Sequence, residues 1–464
     1  MIAKHLKTFL EPAVSLSKLF TIQGYSLYLV GGSVRDAILM AESNTNGSFF
    51  VDLDFTTDAE PTVVKNTVGN WADAIWTQGE AFGTIACLHK GIRYEITTYR
   101  KEVYPQSSRK PHVVFGDNIE TDLSRRDFTV NAMALSLPDL KLIDPFNGLD
   151  DLVAKRLRTP MSPAISFSDD PLRMLRAARF IAKYDLMPDD DLVEAVCRER
   201  QRIQIVSAER IRDELNKLIV VTKPTKGLEF ILHTKLADEF LPELPALALE
   251  QDPIHKHKDV LLHTLAVVER TRPIQNLRLA ALFHDMAKPA TRSFARGKVT
   301  FYQHDVLGAK MARHRMRALR YPTQDIRDVS GLINLHLRFH TYRFGWTDRA
   351  VRRYVRDAGP LLEQLNELVR CDCTTRNENK ARELGMRMDE LDRRIKELRA
   401  KEEIDALRPE LNGLEIMELL NISPGPQVGK ALEFLLELRI EEGILGEKEV
   451  KNRLCAWWEE HKSD

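Results

Sequence analysis

No pair of cysteines in this chain has CxxC spacing: Cys87, Cys197, Cys371, Cys373 and Cys455 are scattered through 464 residues. A disulfide framework and a zinc knuckle are therefore excluded, and reduced thiols are expected. Long hydrophobic runs are missing too, and none approaches the length that spans a bilayer. The amphipathic start, MIAKHLKTFLEPAVSLSKLF, lacks a cleavable signal pattern. A cytoplasmic protein without a membrane partner is expected. Net charge is absent, with 68 Lys and Arg against 68 Asp and Glu. Any nucleic-acid binding must then come from local patches rather than from the overall field. Internal repeats and low-complexity segments are also lacking. What remains is globular, with 43% hydrophobic and 29% charged residues, in a chain too long for one ordinary core.

The most informative stretch runs from Leu27 to Asp58. An apolar strand (LYLV) reaches a Gly31-Gly32 turn, and a helix opens at Ser33. Glycines at such a turn let the backbone approach a ligand, and the new helix points free N–H groups at it, which suits a phosphate. Arg35, one turn on, can add a charged fork to the same anion. In FFVDLDFTTDA, Asp52 and Asp54 alternate with Val51, Leu53 and Phe55, so period-two geometry puts both carboxylates on one face. Adjacent carboxylates repel unless a cation sits between them, and Mg²⁺ takes one or two carboxylates plus phosphate oxygens. A phosphate cradle facing a metal pair is the pattern of nucleotidyl transfer.

Residues 1 to 24 read as a helix ending at Gly24, and a β-rich region follows. AFGTIACLHK and IRYEITTYR form a hairpin through Gly91. Glu95 on its second strand is either a third metal carboxylate or an exposed strand residue. The loop from Arg100 to Pro111 is too long for a simple connector. In DLSRRDFTVNAMALSL, Arg125 and Arg126 precede a run that alternates or turns helical around Asn131. DPFNGLDDL closes this unit, and from about Leu152 the chain is helix-patterned and poor in strand signals. FSDDPLRMLRAARFIAKYDL carries a helix start, with Ser168 as N-cap and Pro171 near the first helical positions. Arg173, Arg176 and Arg179 recur every three residues as one basic ridge. Asp170 and Arg173 lie on one face as a neighbouring acid and base, the simplest reading being a salt bridge.

Farther along, His263, His284, Asp285, His304, His336 and Asp372 sit on separate helical segments. Ligands delivered from several helices can converge as a metal site in a bundle. Arginines and aromatics interleave over GAKMARHRMRALRYP and LRFHTYRFGWTDRAVRRYVRD, the composition of a nucleic-acid backbone track. A long charged helix covers TRNENKARELGMRMDELDRRIKELRAKEEIDALRPEL, with one side paired or solvated. The tail is broken by Pro-Gly-Pro.

With LVGGSVRD, DLDFTTDA, DLSRRDFTVNAMA, DPFNGLDDL and DDPLRMLRAARF in order, the chain resembles the bacterial class II CCA-adding tRNA nucleotidyltransferases and their poly(A) polymerase relatives, in the branch that bears an HD domain. The resemblance implies an α+β fold: a polymerase-β-like nucleotidyltransferase head with a mixed sheet, then an all-α neck, an HD-type helical body and a helical tail. The segments would be 1–150 for the head, 151–250 for the neck, 251–400 for the HD-type domain and 401–464 for the tail. It implies that Gly31, Gly32 and Arg35 hold the triphosphate and that Asp52 and Asp54, with Glu95, carry two Mg²⁺. Arg125, Asp170, Arg173, Arg176 and Arg179 would line the nucleotide pocket. The implied partners are CTP, ATP and tRNA with a missing or incomplete 3′ CCA; no oligomeric state is implied.

An Asp carboxylate accepts from the exocyclic amine that C and A share, and an Arg donates to the adjacent ring nitrogen. Asp170 and Arg173 are thus a candidate amino-acid template. One departure is Asp169-Asp170, where the family usually has Glu-Asp. In the family the Arg100–Pro111 region assists the switch from C to A, so its presence argues against a CC-only enzyme. Alternatives are an A-adding enzyme or poly(A) polymerase, and a phosphohydrolase using a transition metal at the HD cluster. A third is an RNA-binding protein on a dead transferase scaffold, which the retained carboxylates oppose.

Overall fold

The computed structural model describes residues 13–43, 52–103, 112–116, 118–249, 259–295, 298–342, 346–373, 378–402 and 408–461. Two compact units divide the chain, Met1–Pro245 and Ala246–Asp464. Among the described residues no helix is long and apolar enough to cross a membrane.

In the first unit a helix over residues 13–22 is closed by Gly24, whose φ is +81°; residues 1–12 of that expected helix lie outside the described residues. The strands up to residue 150 are β1 (Leu27–Val30), β2 (Asp52–Thr57), β3 (Ala74–Trp76), β4 (Thr84–His89), β5 (Ile92–Thr98), β6 (Arg100–Val103), β7 (His112–Phe115), β8 (Ala134–Leu137) and β9 (Leu142–Ile143), and two short strands, Arg156–Leu157 and Met187–Pro188, pair farther on. Seven of them form one sheet in the order β3-β4-β5-β2-β1-β8-β9, while β6 and β7 make a separate ribbon. Only β2 and β5 are parallel neighbours in the large sheet, which makes it the mixed sheet of an α+β head. Leu53, Phe55, Ile85, Cys87, Tyr94 and Ile96 are buried on one face. Alternation leaves Asp54, Ala86 and Glu95 half-buried on the other. The β4–β5 turn uses Lys90 at φ +50° and Gly91 at φ +78°, two left-handed residues that match the twist of a tight hairpin. Of the long loop, residues 104–111 lie outside the described residues.

The basic helix starts later than the sequence spacing predicts. One helix, Pro163–Asp169, ends at Asp170, and the next, Leu172–Tyr184, begins after Pro171. Proline bars the helical conformation from the residue before it, and Asp170 is extended at φ −133°, ψ 99°. Asp170 Oδ1 accepts from the Leu172 N–H at 3.2 Å, taking the capping role expected of Ser168. The apolar side of Leu172–Tyr184 is buried against the helices Ala208–Ile219 and Thr225–His233. Gly227 permits that approach, because a Cβ there would lie 2.3 Å from the Ala178 carbonyl oxygen.

In the second unit, Val260–Arg270, Gln275–Phe283, His304–Ala318, Thr323–Leu335 and Leu362–Asp372 pack as a bundle. A short ribbon, Arg292–Ala295 with Lys298–Phe301, interrupts the helices where none was expected. The charged helix, Glu378–Glu402, buries Met388, Leu391, Ile395 and Leu398. That 3-4-3 spacing is one helical stripe, and it supplies the packed side that so charged a sequence needs. The tail helices Gly413–Leu420, Pro426–Glu442 and Glu447–His461 share a core of Ile416, Ala431, Leu435, Val450 and Leu454. The second of them starts at the last residue of the Pro-Gly-Pro break.

Candidate active site and metal cluster

The turn after β1 needs glycine for two reasons. Gly31 has φ +67°, and a Cβ on it would stand 3.0 Å from Arg126 Nη1 and 4.0 Å from Asp54 Oδ2. A guanidinium and a carboxylate therefore both stand close to the backbone here. Ser33, in the first turn of the helix, accepts from the Asp54 backbone N–H at 3.2 Å and so ties the phosphate-facing helix to β2. The parallel register sets Asp54 opposite Glu95 and Asp52 opposite Arg93. Opposed residues in a sheet share a face. Asp54 and Glu95 are thus brought to one face; the Asp52 side chain lies outside the described residues. Glu95 Oε1 accepts from Arg93 Nη2 at 2.6 Å.

A buried carboxylate organises the arginines beside the turn. Asp122 is fully buried and accepts from Arg125 Nε and Nη2 at 3.0 and 2.8 Å and from Arg126 Nη2 at 3.1 Å. Burial opposes its ionisation, but Arg125 and then Arg126 outweigh that and hold its carboxyl below the ordinary range. Two guanidiniums on one carboxylate leave a net positive charge, with Arg126 Nη1 beside the Gly31 turn.

Arg35 is buried, and its fork is engaged by the protein. It donates to Asn131 Oδ1 and, at 2.7 Å, to Asp36 Oδ1, with its Cζ 4.3 Å from the centre of the Tyr184 ring. Asn131 in turn donates to Asp127 Oδ1 at 2.8 Å, and Arg176 Nε donates to Asp127 Oδ2 at 2.9 Å. A polar chain Arg35–Asn131–Asp127–Arg176 thereby joins the helix of the glycine turn to the basic helix. Burial of Asp127 raises its pKa, but the Arg176 charge and the Asn131 bond overcome this and hold the carboxyl well below the usual range.

The basic ridge is not a free row of charges. Arg173 donates to Ser166 Oγ at 2.7 Å and to the Arg125 carbonyl, Arg176 pairs with Asp127, and Arg179 pairs with the buried Glu214. Asp170, expected beside Arg173, has Arg210 as its ion-pair partner, at 2.9 Å. From the sequence, Arg126, Asn131 and Ser33 carry no site role, and Asp122, Asp127 and Arg210 do not stand out. The DLSRRDFTVNA stretch holds four of these, and its density of charge around a buried run is the signal that could have found them.

In the second unit the His and Asp residues do converge. His263 Nε2 lies 2.9 Å from Asp372 Oδ1 and 3.3 Å from His284 Nε2. His284 Nε2 lies 3.2 Å from Asp285 Oδ2, and His304 Nε2 lies 3.5 Å from Asp285 Oδ1. Two ligand groups result, His263–His284–Asp285 and Asp285–His304–His336, with Asp285 shared through its two oxygens. Carbonyls of Ala281, Phe301 and Ile333 stand 2.8, 2.8 and 2.6 Å from Nδ1 of His284, His304 and His336. A carbonyl can only accept, so each Nδ1 carries a proton and each Nε2 faces inward, the nitrogen that ligates a metal once it carries no proton. His336 Nε2 is buried with no hydrogen-bond partner among the described residues. The donor set and that orphaned nitrogen fit a divalent cation. Lys288 Nζ, 2.6 Å from Asp285 Oδ2, adds a fixed positive charge at the edge.

Metal binding here is expected to release a proton. Burial alone would lower the pKa of His284, but Asp285 and Asp372 together outweigh it and push it up to about 10. Burial, followed by the His284 charge, pushes His336 down to about 4, so it is already neutral. His284 must therefore give up a proton to ligate. Affinity should rise about tenfold per pH unit at neutral pH. Calorimetric titration with Mn²⁺ in two buffers of different ionisation enthalpy reads the proton count, and a pH-independent affinity would contradict this assignment.

Three family models match the chain: the poly A polymerase head domain over residues 27–158, the probable RNA and SrmB-binding site of polymerase A over 185–247, and the HD domain over 260–397. The chain is 36% identical over 240 residues to a CCA-adding enzyme of Pediococcus pentosaceus, covering 52% of this chain and 57% of that protein. The matched stretch thus spans only a little over half of that relative. A match to an A-adding tRNA nucleotidyltransferase of Deinococcus radiodurans is longer, at 33% identity over 359 residues, 74% of this chain and 80% of the relative. The fold is similar to that of the Bacillus stearothermophilus CCA-adding enzyme solved in complex with CTP, with a TM-score of 0.69 at 22% identity over 98% of this chain and 99% of the other.

Proposed function

This chain belongs to the bacterial tRNA nucleotidyltransferase and poly(A) polymerase family, and from that premise we propose that it adds C, C and A to the 3′ end of tRNA from CTP and ATP without a template. The observation that carries the reading is the convergence at Gly31: a left-handed glycine turn lies close to both Arg126 and Asp54, with Asp54 in register with Glu95.

The triphosphate lies along the Gly31-Gly32 turn, where helix N–H groups, Arg125 and Arg126 neutralise its charge. Asp52 and Asp54, with Glu95 beside them, would hold two Mg²⁺. When bound, the pair would supply Lewis acidity and positive charge for the transfer. The tRNA 3′-oxygen attacks the α-phosphorus, and the bond to the pyrophosphate oxygen breaks. Asp170 reads the exocyclic amine of C or A, with Arg173 and Arg210 nearby to donate, while Arg176 and Arg179 anchor the helix that carries Arg173. The four-segment division at 150, 250 and 400 is part of this reading, as is a cytoplasmic location, where tRNA is matured. Pyrophosphate release from CTP should require both a divalent cation and a tRNA lacking its 3′ CCA. Release that is indifferent to the tRNA end would overturn the reading.

The A-adding alternative is favoured by the longer match to the Deinococcus relative, and a CTP requirement separates the two. A second activity, hydrolysis of terminal or cyclic phosphates at the HD cluster with a bound transition metal, is supported by the shared Asp285 and the inward-facing His336.

A further inference from the structure

A cavity of about 450 Å³ opens on the sheet face beyond Glu95, lined by Trp76, Gly79, Thr84, Ala86, Arg93 and Glu95 among others. Register explains its place. Trp76 opposes Ala86, Ala86 opposes Glu95, and Glu95 opposes Asp54, so one row crosses four strands. At ~4.8 Å per strand, Trp76 stands roughly 14 Å from Asp54, with only the Ala86 methyl raised between Trp76 and Glu95. That spacing leaves room for one nucleoside.

Trp76 is 40% exposed, and the Arg93 guanidinium carbon lies 6.0 Å from the centre of its ring. An exposed indole beside a cation is a platform for a base with an adjoining phosphate. Arg93 directs one N–H to Glu95, and a guanidinium carries five such donors.

The two flanks of Asp54 differ. The glycine cradle follows β1, on one side of β2, whereas β5, β4 and β3 lie on the other. In-line displacement puts the attacking oxygen opposite the leaving pyrophosphate. With the triphosphate at the β1 flank, the attacking 3′-hydroxyl must come from the β5 flank, where the cavity is.

We propose that this cavity is the subsite for the 3′-terminal nucleoside of the RNA acceptor, its base stacked on Trp76 and its phosphate held by Arg93. The proposal rests on the nucleotidyl-transfer reading above. Trp76 is a positioning residue that aims the ribose hydroxyl at the carboxylate row.

The test uses the full chain and a tRNA lacking CCA whose 3′-terminal base is 2-aminopurine, a base whose fluorescence falls on stacking. Binding to the unaltered protein should quench it. Trp76→Ala should lose most of that quenching and raise the KM for tRNA roughly tenfold, with the KM for CTP unchanged. Trp76→Phe, which keeps an aromatic face, should retain both properties, and equal melting temperatures will show that the variants fold. Arg93→Gln should reduce the slope of log affinity against log salt by about one. Quenching that is absent in the unaltered protein, or that survives Trp76→Ala, overturns the subsite, as does a shift in the CTP KM alone. If quenching depends on Trp76 but no nucleotide is ever incorporated, the subsite stands as an RNA-end site and the CCA-adding reading fails.

Discussion

Replacing Asp54 with alanine should reduce nucleotide incorporation by roughly a thousandfold or more while leaving the fold and tRNA binding unchanged. Asp54 is half-buried on the open face of the sheet, so its removal opens no core cavity and relieves repulsion from its acidic neighbours. What it removes is a ligand for cations that stabilise charge at the transition state, an effect worth several kcal/mol, with each 1.36 kcal/mol about tenfold in rate. Single-turnover incorporation under saturating nucleotide separates this loss from weaker binding. A variant within tenfold of the unaltered protein would mean that the carboxylate row is not the reaction centre.

Asp127→Ala should produce the largest loss of stability, about 3 kcal/mol, read from urea unfolding. Breaking a buried ion pair by removing one partner strands the other charge, at about 3–5 kcal/mol. The lower end applies because the Arg176 side chain keeps 32% of its exposure. The Asn131 amide and the Phe128 backbone N–H also lose their acceptor. Activity should fall with stability, because the chain from Arg35 to Arg176 would be cut in its middle. The pH dependence has a definite sign. The folded Asp127 carboxyl titrates below its unfolded value, so its contribution is fully present above about pH 4. It is lost as pH falls through the folded value. Asp127→Asn should therefore show a shallower acid decline than the unaltered protein and no difference in slope between about pH 6 and 8. A variant that melts like the unaltered protein would remove Asp127 from the role described here.

Features set by local chemistry could be read from the sequence, and features set by distant partners could not. The Gly31 turn, the alternating carboxylates of β2 and the Gly91 hairpin each follow from a few adjacent residues. The convergence of His and Asp residues in the second unit could be anticipated because they recur on successive helical segments, and five of them stand close enough to share a cation. The ion-pair partners of the arginines were hidden, since Arg176 meets Asp127 and Asp170 meets Arg210 across intervals of 49 and 40 residues. Nothing in a period of three distinguishes a free basic ridge from three side chains anchored on three different acceptors. The helix start was misplaced for a local reason: Ser168 has the chemistry of a cap, but Pro171 forces the break to Asp170. The register of β2 against β5 sets Glu95 beside Asp54, and a parallel pairing across a long intervening segment leaves no mark in either strand alone.

Incorporation of labelled CTP and ATP, separately and together, into a tRNA transcript lacking its 3′ CCA tests the central claim most directly. With Mg²⁺ present, the account predicts two C additions from CTP alone, then a single A once ATP is supplied, then a stop. Addition of A without C, as a single residue or as a long tract, would contradict it.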